Sequence, residues 1–331
     1  PEVAAHDLHP EYHSTKFAVA RFPAQRRIAI QHHHAHVASC AAEHGIAGPF
    51  IGVAYDGLGM GDDGTLWGGE ILVADLVGYR RLARFGRAPL PGGALAVKRP
   101  YRMALGYLLG AEAFDDGAPG IAAATDLADP GHPAAALLAR LDPRETAVVR
   151  QQVARNLNAP VASSAGRLFD AVAALIGIRD VAEYEAQAAI DLELAAGERS
   201  AAALPYRLDR SDGLVVYDPR PTLTALLDGI AAGRSSGDLA AAFQATITEV
   251  TREILDGARA LTGATTVCLS GGVFQNRRLA TVLLRDLARD GFRVFINRQV
   301  PVNDGGVSYG QAAVAAARLG SGATGAPHEE G

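Results

Sequence analysis

The sequence predicts an α/β protein: a mixed or parallel sheet whose faces are covered by helices. Two observations lead there. From residue 266 onward, short apolar runs alternate with longer helical stretches, the order in which strands and covering helices are laid down. Further upstream, the apolar run FIGVAYD (50–56) enters a turn rich in glycine and aspartate, and a second apolar run leaves it, which reads as a hairpin. At 331 residues, 49% hydrophobic and 20% charged, the chain is globular in composition and long enough for a substantial core.

Taken in order, residues 31–44 read as a helix, with Gly45 placed to stop it. Strands follow at 50–56 and 66–75, joined by the glycine-rich turn 57–65, and a third strand at 79–85. A helix is expected at 97–109 and a Gly/Pro/Asp-rich loop at 115–133. Helices are expected at 134–141, 144–157, 166–176 and 183–197, with Ser163 and Ser164 as N-cap candidates for the third. Residues 205–218 hold two short strand-like runs around Asp212 and Gly213, then a helix spans 222–231 and a long one 238–261. The C-terminal alternation places strands at 266–269 and 292–296 and helices at 275–289 and 307–319. The small, polar tail 320–331 is expected to be disordered.

The formal charge of −5 argues against a nucleic-acid partner, since phosphate binding draws on a clustered basic face. No uninterrupted run of roughly eighteen apolar residues is present, so no membrane span is expected. The chain does not begin with Met and its first residues are polar and His-rich without an apolar signal core, which reads as a fragment. Cys40 and Cys268 lie far apart in apolar segments and are expected to be buried, reduced thiols of a cytoplasmic protein.

The strongest chemical signal is the run QHHHAH at 31–36, with four histidines in five positions. His32 and His36 stand one turn apart on a helix, so their imidazoles share a face and hold one divalent metal if carboxylates arrive from elsewhere. A zinc-protease reading fails, because that chemistry needs Glu directly after the first His and this position is His33. His33 and His34 point to other faces, and the spacing of His6, His9 and His13 supports no geometry of its own. Asp56, ending an apolar strand beside glycine, and Asp304, in the turn PVNDGG (301–306), are the carboxylate candidates; each reads equally well as a turn or capping residue. Oxygen donors added to two imidazoles would suit iron or zinc.

A second signal is CLSGGVFQNRR (268–278), a strand joined to a helix through Gly271 and Gly272. Glycine there lets backbone approach a ligand, and the helix start favours negative charge. It is neither a Walker A loop nor a GxGxxG fingerprint. The turn at 57–64 and WGGE (67–70) strengthen the nucleotide reading, because a strand–turn–strand unit of this kind holds phosphates on backbone N–H groups in actin-like ATPases.

Taken together, DLHPEYHST (7–15), QHHHAH (31–36), DGLGMGDDG (56–64), WGGE (67–70), SSAGRLFD (163–170), YEAQA (184–188), LSGGVFQNRRL (269–279) and PVNDGGVSYGQ (301–311) resemble HypF-type carbamoyltransferases, in the order of that family. The resemblance implies an actin-like ATPase (ASKHA) two-lobed fold, similar to TsaD, with mixed sheets covered by helices. Residues 1–160 would be the remainder of the first lobe, with the metal helix and hairpin; 161–319 would be the second, with the Ser-Gly-Gly loop. It further implies metal ligation by His32, His36 and Asp304, with Asp56 as the fourth ligand, and adenylate contacts at Gly166, Asp170, Ser270, Gly271, Gly272 and Asn276. Where TsaD-like proteins carry a glycine after Tyr184, this chain has Ala186.

The activity so implied is transfer of a carbamoyl group from carbamoyl-adenylate, made from carbamoyl phosphate and ATP, to the C-terminal cysteine of HypE. That chemistry makes the cyanide ligand of nickel–iron hydrogenases. AMP would leave while a divalent metal acts as Lewis acid. No acylphosphatase-like, zinc-finger or YrdC-like segment is read in this chain, and it starts after the first strands of the actin-like unit. It is therefore expected to be a truncated or split HypF that cannot make the adenylate alone. Two other readings share the motifs: a small-molecule O-carbamoyltransferase, and a non-catalytic module that retains metal and nucleotide. TsaD-like transfer to tRNA is disfavoured by the acidic balance and the HypF-like variants at 56–60 and 67–70.

Overall fold

The computed structural model describes residues 2–114, 121, 132 and 134–322. Most of the loop expected at 115–133, and the tail beyond 322, lie outside the described residues. In chain order the elements are β1 (Ala4–Asp7), α1 (His13–Arg21), β2 (Arg27–Ile30), α2 (His32–Glu43), β3 (Phe50–Met60), β4 (Leu66–Ala74), β5 (Tyr79–Phe85) and β6 (Ala88–Pro89). There follow α3 (Ala94–Lys98), α4 (Pro100–Gly110), α5 (Ala135–Leu138), α6 (Pro143–Ala154), β7 (Val161–Ser164), α7 (Ala165–Leu175) and α8 (Gln187–Ala196). The remainder is β8 (Arg207–Ser211), β9 (Leu214–Asp218), α9 (Arg220–Ala231), α10 (Ser236–Thr262), β10 (Thr266–Ser270), α11 (Arg277–Arg289), β11 (Arg293–Ile296) and α12 (Val307–Gly320).

A mixed sheet of nine strands forms the centre, in the order β11-β10-β3-β4-β5-β9-β8, with β7 pairing β4 and β6. β10 runs parallel to β3 and β11, while β3, β4 and β5 are antiparallel. Strands from both sides of residue 160 therefore share one sheet. β1 and β2 form a separate parallel pair, with Asp7 opposite Ile30. Residues 50–55 of β3 are all buried, which follows from helices covering both faces. On one face lies α2: a Cβ at Gly52 would stand 2.8 Å from the Val37 Cβ, so that helix packs directly on β3. α12 closes over α2 at Gly310, where any Cβ would collide with the Ala35 carbonyl. On the other face α7 is buried along its whole length. Among the described residues no helix is long and apolar enough to cross a membrane. Cys40 and Cys268 are both buried, and pack in one small cluster with Val37, Phe50 and Leu72.

Several boundaries differ from the sequence expectation, each for a local reason. β3 does not end at Asp56 but continues to Met60. Its pairing with β4 jumps from Tyr55↔Gly69 to Gly59↔Trp67, so residues 56–58 bulge from the ladder and the turn tightens to a few residues closed by Gly61 N–H on Thr65 O at 2.9 Å. The helix expected at 97–109 breaks at Arg99, because Pro100 has no N–H to continue α3 and instead opens α4. The helix expected from 183 starts only at Gln187, after Ala186 in a left-handed conformation (φ 61°). A short 3-10 turn, Gly272–Gln275, precedes α11. β1, α1, β2 and β7 were not anticipated: their segments are short and carry no apolar alternation.

Candidate metal and nucleotide site

The candidate cluster is assembled from three separate elements: α2, β3 and the turn before α12. Gln31 caps α2 by accepting the His34 N–H at 2.8 Å, which starts the helix so that His32 and His36 share its inner face. Both imidazoles are buried, and their ring centres stand 4.8 Å apart. Asp56 projects from the bulge of β3, with its Oδ2 3.4 Å from each Nε2. Asp304 opens the short turn before α12 and places Oδ1 3.7 Å from His32 Nε2 and 3.4 Å from His36 Nε2. All four donor atoms lie within 4.8 Å of one another. No contact among them is aligned as a hydrogen bond: both Nε2 atoms are fully buried and have no partner. Two inward-facing, unpartnered imidazole nitrogens flanked by two carboxylates fit a divalent cation. The Asp56 side chain is only 7% exposed and that of Asp304 68%, so the cluster opens to solvent on the Asp304 side.

The electrostatics agree. Burial alone would lower the His32 pKa, but contacts with Asp304, Asp56 and Asp7 raise it well above 6.5. The same opposition acts on His36, where burial is outweighed by Asp56 and Asp304 and the pKa rises. Burial pushes the Asp56 carboxyl up, yet the His36 and His32 imidazoles hold it well below the usual carboxylate range. The nearby His32 and His36 imidazoles keep Asp304 low as well. The other two histidines of the run serve the scaffold. His33 Nδ1 pairs with Gln31 Nε2 at 3.0 Å; His34 Nε2 meets Asp75 O at 2.8 Å, and burial drops its pKa to about 4.

Asp7 is the residue beside the cluster that spacing arguments missed. Its Oδ2 lies 2.8 Å from His32 Nδ1, which orients the ring so that Nε2 faces the cluster. The His9 N–H (2.9 Å) and the Gln311 amide (3.4 Å) hold Asp7 in turn. The only sequence signal for it was its place at the head of DLHPEYHST.

The Ser-Gly-Gly loop meets the same cluster. β10 ends at Ser270, and Gly271 turns with φ 106° so tightly against Tyr55 that a Cβ would collide with the Tyr55 carbonyl. The Gly272 N–H then donates to Asp56 Oδ1 at 2.9 Å. Asp56 thus faces the imidazoles with one oxygen and the loop with the other. Gly166, in the first turn of α7, packs on the same backbone: a Cβ there would stand 3.1 Å from Asp56 O and from Gly57 Cα. Asp170 follows one turn along, buried, with its carboxyl pushed up to about 6 by burial.

Two expected nucleotide contacts have committed side chains. Ser270 Oγ donates to Asn297 Oδ1 at 2.9 Å. Asn276 caps α11 by accepting the Leu279 N–H (2.9 Å) and donates to Gln244 (3.1 Å). The hairpin also differs from a phosphate cradle. Gly61 and Gly64 donate within the turn, and the buried Glu70 accepts from Gly68 (3.1 Å), Gly69 (3.3 Å) and Ser163 Oγ (2.7 Å).

A mixed sheet with a two-imidazole, two-carboxylate cluster tied to a glycine loop defines a class, and the comparisons with known proteins name it. Residues 52–311 match the family model described as "Carbamoyltransferase, Kae1-like Domain, second subdomain", and residues 1–43 match the "HypF Kae1-like domain". The solved structure of full-length HypF in its phosphate- and nucleotide-bound form superposes with a TM-score of 0.87 at 40% identity, covering 98% of this chain and 48% of that one. T. kodakarensis HypF gives a TM-score of 0.77 at 30% identity over 95% of this chain and 40% of that one. The fold is consistent with the actin-like ATPase class.

The chain belongs to the HypF carbamoyltransferase family. It is 38% identical to carbamoyltransferase HypF2 of Cupriavidus necator and 40% identical to HypF of Rhodobacter capsulatus, over 96% of its length in each case. It spans 40% of the length of each of those two relatives. A HypF homolog of C. necator, 36% identical, is covered over 78% of its length.

Proposed function

We propose that this chain carries out carbamoyl transfer from carbamoyl-adenylate to the C-terminal cysteine of HypE, in cyanide-ligand synthesis for nickel–iron hydrogenases. The observation that carries the reading is Asp56, whose two oxygens face the histidine cluster and the Gly272 N–H. A ligand on the glycine loop is thereby held beside the metal position. Likeness to a HypF solved in a phosphate- and nucleotide-bound form supports a nucleotide as ligand.

His32, His36, Asp56 and Asp304 would hold a divalent metal, which supplies Lewis acidity toward an acyl or phosphoryl oxygen. The protein's own groups do the rest. Asp7 fixes the His32 tautomer and direction. The Gly271–Gly272 turn packs closely on Tyr55 and Asp56, which sets the Gly272 N–H at the junction, and the bulge of β3 carries Asp56 there. In the transfer, the cysteine thiolate attacks the carbamoyl carbon, a C–S bond forms, the C–O bond to the phosphate breaks, and AMP leaves. The exposure of Asp304 gives the open side from which an acceptor tail would enter.

The test is elemental metal content together with AMP release, with carbamoyl-adenylate supplied preformed alongside a peptide of the HypE C-terminus. About one metal per chain and peptide carbamoylation are expected, both lost in a His32→Ala/His36→Ala variant. Metal without turnover would favour a module that retains metal and nucleotide without catalysis. No metal in either protein would remove the site assignment.

A further inference from the structure

Three buried polar groups stand next to this site, and only Asp170 was among the expected adenylate contacts. Arg167, in the first turn of α7, is 5% exposed, and its Nε and Nη1 are fully buried without a hydrogen bond among the described residues. Asp170, one turn on, has its Oδ2 in the same state; it lies 2.9 Å from Arg167 Nη1, close enough for an ion pair but not aligned as a hydrogen bond. The Tyr107 hydroxyl is a third buried group without a partner. A guanidinium removed from water with its N–H groups unmatched costs several kcal/mol, and proteins tolerate few such groups. An acceptor arriving at the free edge of the guanidinium would satisfy donors that the carboxylate leaves unmatched.

The acceptor's direction can be read from the surroundings. Ser164 pins the first turn of α7 by accepting the Arg167 N–H (3.1 Å) and donating to Asp56 O (3.0 Å). The guanidinium's remaining nitrogen, Nη2, faces the backbone at Gly57, where even an added Cβ would be 3.9 Å away. Gly57 immediately follows Asp56, whose carboxylate faces the histidines and the Gly272 N–H. A ligand lying along Gly57 therefore passes between the guanidinium and the glycine loop.

We propose that Arg167 is the oxyanion-binding residue of this site, donating to the phosphate of an adenosine monophosphate group while Asp170 holds the guanidinium as its counter-charge. The proposal rests on the nucleotide reading given above and adds to it the residue that reads the phosphate. A planar guanidinium with five donors serves a carboxylate on one edge and a phosphate on another, which a neutral or point-charge side chain does not.

Calorimetric titration of the chain with AMP and with adenosine tests this, in metal-loaded and chelator-stripped protein, for the wild type, Arg167→Gln and Arg167→Lys. A charge-assisted hydrogen bond is worth about 1.5–3 kcal/mol, so AMP should bind the wild type about 10- to 100-fold more tightly than adenosine. In Arg167→Gln the two affinities should converge, with adenosine binding and metal content unchanged, and Arg167→Lys should recover only part of the difference. If the AMP preference survives in Arg167→Gln, or vanishes from the wild type on stripping the metal, the phosphate is held elsewhere and the proposal is overturned. If adenosine affinity and thermal stability fall together with AMP affinity, Arg167 is a structural residue and the proposal is likewise overturned. A wild type that binds neither ligand removes the nucleotide reading itself; one that binds AMP without help from Arg167 leaves that reading standing.

Discussion

Asp170→Asn should make the protein more stable, and only at pH values where the carboxylate is ionised. Asp170 is 2% exposed, and burial raises its pKa from 3.8 to about 6, with Glu185 adding to the rise and Arg167 opposing it. The folded chain therefore binds a proton between about pH 4 and 6 that the unfolded chain has already released. Stability from this group falls as pH rises through that window. Below it both states carry the neutral acid and the difference vanishes. Above it the folded state holds a buried carboxylate at a cost of about 3 kcal/mol. Asparagine has the shape of the neutral acid and avoids that cost. Urea unfolding at pH 4 and pH 7.5 measures the effect: the two proteins should match at the lower pH, and the variant should gain up to about 3 kcal/mol at the higher. Equal stabilisation at both pH values would refute the reasoning. So would a loss at pH 7.5, which would mean that the carboxylate secures Arg167 by more than its own burial disfavours it.

Three further outcomes are expected. Asp7→Asn should leave the fold intact and weaken metal binding by about 10- to 100-fold in a chelator competition, because the His32 ring loses its carboxylate partner; unchanged affinity would show that the contact is incidental. Metal affinity should rise with pH across the region above 6.5, since the raised pKa values of His32 and His36 make protons compete for the same nitrogens. Titrations in buffers of different ionisation enthalpy should then show proton release on binding at pH 6.5, and its absence would contradict the raised values. Ala186→Gly should stabilise the chain by less than about 1 kcal/mol, as relief of the left-handed strain at φ 61° is partly offset by the freedom glycine adds to the unfolded state; a shift of the urea midpoint in the destabilising direction would contradict this.

The legibility of the site follows from how far each argument reaches along the chain. The pair His32/His36 depends only on helix periodicity, so its spacing exposed it directly. Asp56 and Asp304 were recognisable as candidates beside glycine, but their meeting point depends on β10 pairing with β3 and on α12 closing over α2, neither of which a local pattern encodes. Asp7 was illegible because its role comes from a ladder: β1 pairs with β2 so that Asp7 lies opposite Ile30, two residues before His32. The segment that does this has no apolar alternation to announce a strand. The bulge at residues 56–58 was hidden for a related reason, since glycine and aspartate read as a turn whether or not strand pairing resumes beyond them. In the same way, hydrogen bonds across the fold decide that Gly68 and Gly69 serve Glu70.

The divided carboxylate of Asp56 has a thermodynamic consequence. With one oxygen toward the imidazoles and the other accepting from Gly272, its basicity at the metal position depends on whether that N–H is present. On the proposed reading, a nucleotide that draws the loop amide toward its own oxygens would make Asp56 a stronger donor to the cation, and a bound cation would in turn free the amide for the nucleotide. Linkage makes the two effects equal: whatever factor the nucleotide adds to metal affinity, the metal adds to nucleotide affinity. One side chain shared between two ligands would be enough to make them bind as a cooperative pair, with no movement of domains.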